Sequence, residues 1–267
     1  MDMRVVKRSG EMEEFDPSKA IASILKVGTS PEEAEAILEA VRPFLYDGMT
    51  TEELYRRIRA HLPSPKAQQY SLKKAILLLG PDGHTFETFV GRLFQDTGYE
   101  VLVRQILVGK CISHEVDVVA VKDGRKAIVE CKFHNSLGTK SSVQEALYTW
   151  GRFLDLEGFD GLAAPWLVTN TKFSSDVVRY AKCVGMNLIG WEYPEDGGLE
   201  RIIDRTRAYP VTVLNLRRSE QRTLLSHGLV LCRDILERRG ELPTLFPREV
   251  VERIVRKAEE FQGSVRA

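Results

Sequence analysis

The chain has 267 residues, 43% of them hydrophobic, which is enough to bury more than one core and too apolar for a chain that stays disordered. Lysine plus arginine and aspartate plus glutamate each number 38, so bulk charge cannot hold a polyanion and any nucleic acid must be met by a local patch. No apolar run reaches the roughly 20 residues of a membrane span, and Met1-Asp2-Met3-Arg4 lacks the apolar core of a signal peptide. A cytoplasmic protein without a membrane partner is expected.

In chain order, Arg4 to Arg8, Ser9-Gly10 and Glu11 to Phe15 read as a short hairpin. Helical stretches follow near 17–27, 31–46, 51–61 and 66–79, with Pro17, Pro31 and Thr50 marking starts. Lys7, Arg8 and Lys19 could converge on a triphosphate, with Gly10 allowing close backbone approach. The alternative is a small helical docking domain with a solvated basic edge. The run V-K-R-S-G, then F-D-P-S-K-A-I, then T-x-E-x-L and Tyr70 resembles the ATP-cone, a small nucleotide-binding regulatory domain. The resemblance covers residues 1–79 and implies ATP or a related nucleotide near Lys7, Arg8, Gly10 and Lys19.

From residue 80 the hydrophobic period alternates: helix 84–96, strands 99–105, 115–121 and 126–133, helix 141–156, strand 165–169, helix 174–184 and strand 187–191. This is one compact α/β unit. Lys122-Asp123-Gly124-Arg125 is a two-residue hairpin signal between valine- and isoleucine-rich runs. With Asp123 and Gly124 as the loop, Lys122 faces Arg125, Val119 faces Ile128 and Asp117 faces Glu130. Two carboxylates then have Cβ atoms about 5 Å apart, destabilising unless positive charge lies between them. Mg²⁺ or Mn²⁺ suits such hard oxygen ligands. Lys132 falls on the same face, opposite Glu115, where an amine can orient or deprotonate a water during phosphodiester hydrolysis. Glu87 can reach this site from the preceding helix, whose Phe86, Phe89, Val90 and Leu93 pack on the sheet, and Gln144 and Tyr148 share one flank of the following helix. The competing reading makes Glu130 and Lys132 a solvated pair, but valine and alanine on both faces of these strands indicate central positions.

Glu87, H-E-V-D ending in Asp117, I-V-E-C-K with Glu130 and Lys132, and Q-E-A-L-Y together resemble the PD-(D/E)xK nuclease superfamily, most nearly the Mrr-type restriction endonucleases. The resemblance implies a restriction-endonuclease-like αβββαβ core. It makes Asp117 and Glu130 metal ligands, Lys132 the catalytic lysine, Glu87 an accessory metal or water ligand, and Gln144 and Tyr148 the Q-x-x-x-Y box. His114, Glu115 and His134 flank the site, and Lys140 and Ser141 either touch phosphate or cap the next helix.

Breaker clusters at Pro63-Ser64-Pro65, Gly80 to Gly83 and Pro194 to Gly198 suggest three regions: 1–79, a catalytic domain at 80–195, and a helical, arginine-rich region at 196–267. The last carries 14 basic and 11 acidic residues, 13 of the basic ones arginine, including Arg217-Arg218. Its expected elements are an extended piece at 209–213 and helices near 218–227, 229–239 and 247–262. The turn Ser226-His227-Gly228-Leu229 loosely resembles a helix-hairpin-helix that meets DNA phosphate; the other reading is a tail packed on the nuclease or in a dimer contact. The four cysteines lack C-x-x-C spacing and are expected as buried thiols; zinc-type histidine spacing and a Walker loop are also absent. The leading function is a metal-dependent DNA endonuclease adjusted by a nucleotide, with a homodimer as the simplest route to double-strand cleavage. The second is a non-catalytic nucleotide sensor that binds nucleic acid through a nuclease fold.

Overall fold

The computed structural model describes residues 3–7, 9–80, 83–136, 138–158 and 161–266. Strand β1 (Arg4–Val6) turns back antiparallel onto β2 (Met12–Glu14) through Gly10, whose φ of +84° needs a residue without Cβ. Side-chain oxygens of Asp16, Ser30 and Thr50 accept the orphan amides at the starts of α1 (Pro17–Leu25), α2 (Pro31–Val41) and α3 (Thr51–His61). A two-residue strand, β3 (Met49–Thr50), pairs in parallel with β1; it is too short to show any alternation in sequence. The single helix expected over 66–79 is broken at Ser71 into α4 (Ser64–Tyr70) and α5 (Leu72–Ile76). The Ser71 hydroxyl there accepts from Tyr55 Oη at 2.8 Å and Arg59 Nε at 2.7 Å. Ile24, Leu38, Val41 and Ile58 form the core of this part.

The central unit runs α6 (His84–Asp96), β4 (Glu100–Val108), β5 (Ser113–Lys122), β6 (Arg125–Lys132), β7 (Lys140–Ser141), α7 (Val143–Asp155), β8 (Leu162–Thr169), β9 (Lys172–Phe173), α8 (Ser175–Val184) and β10 (Asn187–Ile189). The main sheet has the order β10-β8-β6-β5-β4, antiparallel across β4, β5 and β6 and parallel across β6, β8 and β10. Asp123 and Gly124 take φ of +51° and +74°, the two left-handed residues of a type I′ turn. That turn sets Lys122 against Arg125 and Val119 against Ile128, as expected. The helix α6 buries Phe86, Phe89, Val90 and Leu93 against one face of the sheet, and α7 and α8 cover the other.

Beyond the sheet come α9 (Leu199–Thr206), α10 (Arg218–Ser226), α11 (Cys232–Glu237), α12 (Leu242–Leu245) and α13 (Arg248–Arg266). The extended piece expected at 209–213 is instead a single bridge, Pro210 to Leu231, followed by a 3-10 turn at Val211–Leu214. All four residues of that turn are buried, so their apolar character reflects core packing and not a strand. The pair Gly197-Gly198 ahead of α9, within the breaker cluster, is no slack segment: a Cβ on Gly198 would lie 2.8 Å from the Trp191 carbonyl oxygen. One hydrophobic core runs from Leu72 through α6 and the sheet to Phe261 on α13. Two arginines of the last region make partly buried ion pairs, Arg233 with Asp96 on α6 and Arg253 with Glu220, each at 2.6 Å. Of the four thiols only Cys232 is fully buried. Cys131 is half-buried, whereas Cys111 lies in the exposed turn between β4 and β5 and Cys183 on the outer flank of α8, so the expectation of four buried thiols fails for both. Among the described residues no helix is long and apolar enough to cross a membrane.

Candidate active site

The strands β5 and β6 pair residue by residue from the turn to Val118 opposite Val129 and then separate, so the expected pairing of Asp117 with Glu130 is not formed, although the two carboxylates stay close enough for the charge of Glu130 to act on Asp117. The Cys131 N–H, which a continued ladder would give to a β5 carbonyl, goes to Asp117 Oδ2 at 2.7 Å. On the other side of β5, Arg104 falls between the pairs Val103–Val118 and Gln105–Val116, opposite Asp117. Its φ of +50° is a left-handed conformation that costs a non-glycine residue about 1–3 kcal/mol. Alternation is reset there: Val101 and Val103 pack in the α6 cluster, while Leu107 joins Val116, Val119 and Leu156 on the α7 side. The sheet thus opens locally at Asp117, and its carboxylate takes the place of a ladder acceptor.

Burial first, and then the charge of Glu130, push the Asp117 carboxyl up to about 7. Burial raises Glu130 too, against the pull of a guanidinium absent from the sequence expectations. That group is Arg152 on α7. It donates through Nη1 to Glu130 Oε2 and through Nη2 to Tyr148 Oη at 2.9 Å, with its Cζ 4.7 Å from the centroid of the Tyr148 ring. Its side chain is only 8% exposed, and its buried Nε has no hydrogen-bond partner. Gln144, Tyr148 and Arg152 repeat at intervals of four along one flank of α7, so one more helical step from the tyrosine is the signal that would have found Arg152. Gln144 and Tyr148 are exposed on that flank.

Lys132 does not face Glu115, because the β5–β6 pairing ends before the register could bring them together. Its Nζ lies 3.7 Å from Glu145 Oε1 instead. Glu145 also accepts the backbone N–H of Ser142 at 2.8 Å, closing the start of α7. The mostly buried Glu87 stands near His84 Nδ1 at 3.3 Å and Arg104 Nη1 at 3.9 Å, close enough for its charge to raise Asp117 further. The acidic face therefore carries three carboxylates. Arg152 meets one and Arg104 approaches another; for Asp117 the contact among the described residues is a backbone amide.

Among the described residues no group of three or more His, Cys, Asp or Glu side chains forms a ready-made metal cage. The donor chemistry at Asp117 and Glu130 nevertheless fits a hard divalent ion. Two carboxylates, with water and substrate oxygens completing the shell, is how Mg²⁺ is usually held, and a carboxyl forced up to about 7 marks a place short of positive charge.

Behind Lys132 the chain is fixed by Asn170, whose Oδ1 accepts His134 N–H at 2.8 Å and whose Nδ2 donates to the His134 carbonyl at 2.9 Å. His134 Nε2 meets Ser141 Oγ at 3.0 Å, and burial followed by the charge of Lys132 lowers the histidine pKa. Ser141 is fully buried in β7, which pairs with β9, so neither it nor Lys140 caps α7; Ser142 does. His114 lies away from the site, with Nε2 2.8 Å from Asp155 Oδ2.

In the N-terminal part, Lys7 and Lys19 converge on one carboxylate, Glu13, at 2.8 and 3.6 Å. A cavity of about 160 Å³ beside them is lined by Glu13, Asp16, Lys19, Ser23, Tyr55 and Tyr70 among others. Gly10 is open, with nothing within 4 Å of where a Cβ would stand. Arg8 lies outside the described residues.

The chain matches the ATP cone domain over residues 3–79, the restriction endonuclease family of Mrr catalytic type over 78–192, and the AF1548-like C-terminal family over 209–260. An uncharacterized protein of Archaeoglobus fulgidus is 42% identical over 147 residues, covering 55% of this chain and 83% of its own length. The crystal structure of AF1548, a protein of unknown function, superposes with a TM-score of 0.60 at 36% identity, over 70% of this chain and 99% of that one. The chain belongs to the AF1548-like family. An ATP cone thus precedes a restriction-endonuclease-like α/β domain and a helical C-terminal region, in the order and with the fold class that the sequence motifs imply.

Proposed function

We propose that this chain is a metal-dependent DNA endonuclease whose activity is adjusted by ATP or a related nucleotide bound to the N-terminal cone. The observation that carries the reading is the Asp117 carboxyl, buried beside Glu130 on a strand opened around it and held at about 7. Spending backbone strain and burial on like charges is a pattern of functional sites.

In this reading Asp117 and Glu130 hold Mg²⁺ or Mn²⁺, with Glu87 as an accessory ligand to the ion or its water. A bound divalent ion would supply Lewis acidity and a water acidified toward neutral pH. Lys132, at the open end of β6 and 43% exposed, orients the attacking water and steadies charge growing on the phosphoryl oxygens. Asn170 fixes the backbone that follows it. Gln144 and Tyr148, exposed on α7, bind the phosphates flanking the scissile bond. Water adds to phosphorus, one P–O ester bond breaks, and the departing alkoxide takes up a proton. Residues 1–79 serve as the regulatory domain, 80–195 as the catalytic domain and 196–267 as a region packed on it. The protein works in the cytoplasm, where its four unpaired thiols stay reduced, and a homodimer would place two sites on one duplex.

The test is incubation of supercoiled plasmid with Mg²⁺ or Mn²⁺. Nicking is expected for the wild type and is lost in Lys132→Ala and Asp117→Ala; persistent nicking in both variants, or none in the wild type with either ion, rejects the assignment. A duplex shift in gel retardation without any cleavage would instead favour the nucleic-acid-binding sensor. For the cone, ATP at 100 times its Kd is expected to stabilise the chain by about 2.7 kcal/mol, seen as a raised Tm. Lys7→Ala with Lys19→Ala is expected to remove that rise, because the two ammonium groups share Glu13 until a triphosphate displaces it.

A further inference from the structure

We infer that Arg152 is the exchangeable counter-cation of the carboxylate pair: it holds Glu130 while no divalent ion is bound, yields that carboxylate to the ion, and stays tethered by Tyr148. The inference rests on the reading of Asp117 and Glu130 as the ion site and adds a device that sets the ion's affinity. Three observations on the guanidinium carry it. It is buried at 8% exposure, so its charge acts through little solvent. It is shared between two partners, the Glu130 carboxylate through Nη1 and the Tyr148 hydroxyl through Nη2, and lies over the Tyr148 ring, so losing Glu130 does not leave it unheld. Its Nε has no partner although buried, so the group is not locked by a full set of hydrogen bonds as a purely structural arginine would be.

A prop and a competitor predict opposite signs. If Arg152 only props Glu130 in place, removing it loosens a ligand and weakens ion binding. If it competes for Glu130, removing it deletes a positive charge from the ion's own position and tightens binding. Tyr148 reverses the comparison, because without its hydroxyl the guanidinium has less to retreat to and clings to Glu130.

The experiment is calorimetric titration of Mn²⁺ into the full chain at pH 8 in the absence of oxygen, for wild type, Arg152→Gln and Tyr148→Phe. Arg152→Gln is expected to bind Mn²⁺ about tenfold tighter or more, which corresponds to about 1.4 kcal/mol, and to show a larger Mn²⁺-induced rise in Tm. Tyr148→Phe is expected to bind several-fold more weakly. Equal or weaker binding by a folded Arg152→Gln overturns the inference. Should that variant not fold without the ion, Tyr148→Phe decides: binding unchanged or tighter than wild type overturns it. Absence of Mn²⁺ binding in the wild type would reject the ion site itself, an outcome distinct from either.

Discussion

Replacing Asp117 by asparagine is expected to abolish cleavage and, at the same time, to make the ion-free protein more stable at pH 8. Asparagine is nearly isosteric, and its Oδ1 can still accept the Cys131 N–H that the carboxylate accepts at 2.7 Å. Loss of an ion ligand worth several kcal/mol in the transition state should lower the cleavage rate by about a thousandfold or more. The stability gain follows from the raised pKa. Burial and Glu130 lift the folded-state value from 3.8 to about 7, a rise of about three pH units at about 1.4 kcal/mol each, on the order of 4 kcal/mol. Below about pH 4 the carboxyl is protonated in both folded and unfolded chains and costs nothing. Between about 4 and 7 the unfolded chain ionises while the folded one holds its proton, so stability from this group falls as pH rises, and the full cost is present above 7. The asparagine variant lacks that slope. Its Tm without divalent ions should exceed wild type by roughly 5–10 °C at pH 8 and match it at pH 4. Scanning calorimetry at both pH values checks the sign; a variant less stable than wild type at pH 8 would mean that the carboxylate is already compensated.

The second large effect is expected far from the carboxylates, at Asp234. Its side chain is 1% exposed and accepts three bonds, from Val230 N at 3.0 Å, Leu231 N at 2.9 Å and Arg92 Nη2 at 2.8 Å. Two of these donors close the turn into α11, and the third comes from α6, so one carboxylate ties the C-terminal helices to the nuclease unit. Asp234→Ala strands two amides and a guanidinium in a poorly solvated place, and should cost about 3–5 kcal/mol. Urea unfolding would read this as a lowered midpoint, with Asp234→Asn intermediate because its single carbonyl oxygen can still serve an amide. A loss under about 1 kcal/mol would show that water replaces the carboxylate freely.

Local codes explain what the sequence made legible. The turn Asp123-Gly124 fixes register because its two residues must take positive φ, and from it the pairs from Lys122–Arg125 to Val118–Val129 follow by counting. The bounds of α6 match the expected 84–96 because a glycine precedes it and its apolar period is unbroken. Counting fails where the ladder ends. It carries Lys132 on to Glu115, but the strands have parted by then, and across the sheet from that point stands the left-handed Arg104, a residue whose sequence context gives no hint of positive φ. Arg152 escapes for a different reason: an arginine in a helix reads as solvated, and its place four residues beyond Tyr148 gains meaning once the fold sets it against Glu130. The arginines of the last region were legible as a count but not as a role. Opposite charges brought together by folding, such as Arg233 with Asp96, are 137 residues apart in sequence. Likewise α9 follows a Gly-Gly pair that looks like a linker, because close packing against the Trp191 carbonyl leaves no trace in composition.

The most direct measurement is a crystal of the full chain soaked in MnCl₂ at pH 8 and examined by anomalous diffraction at the manganese edge. A single strong peak shared by the carboxylate oxygens of Asp117 and Glu130, with the Arg152 guanidinium withdrawn toward Tyr148, is the result expected. A map flat at that position, with Arg152 still seated on Glu130 at saturating manganese, would contradict the account.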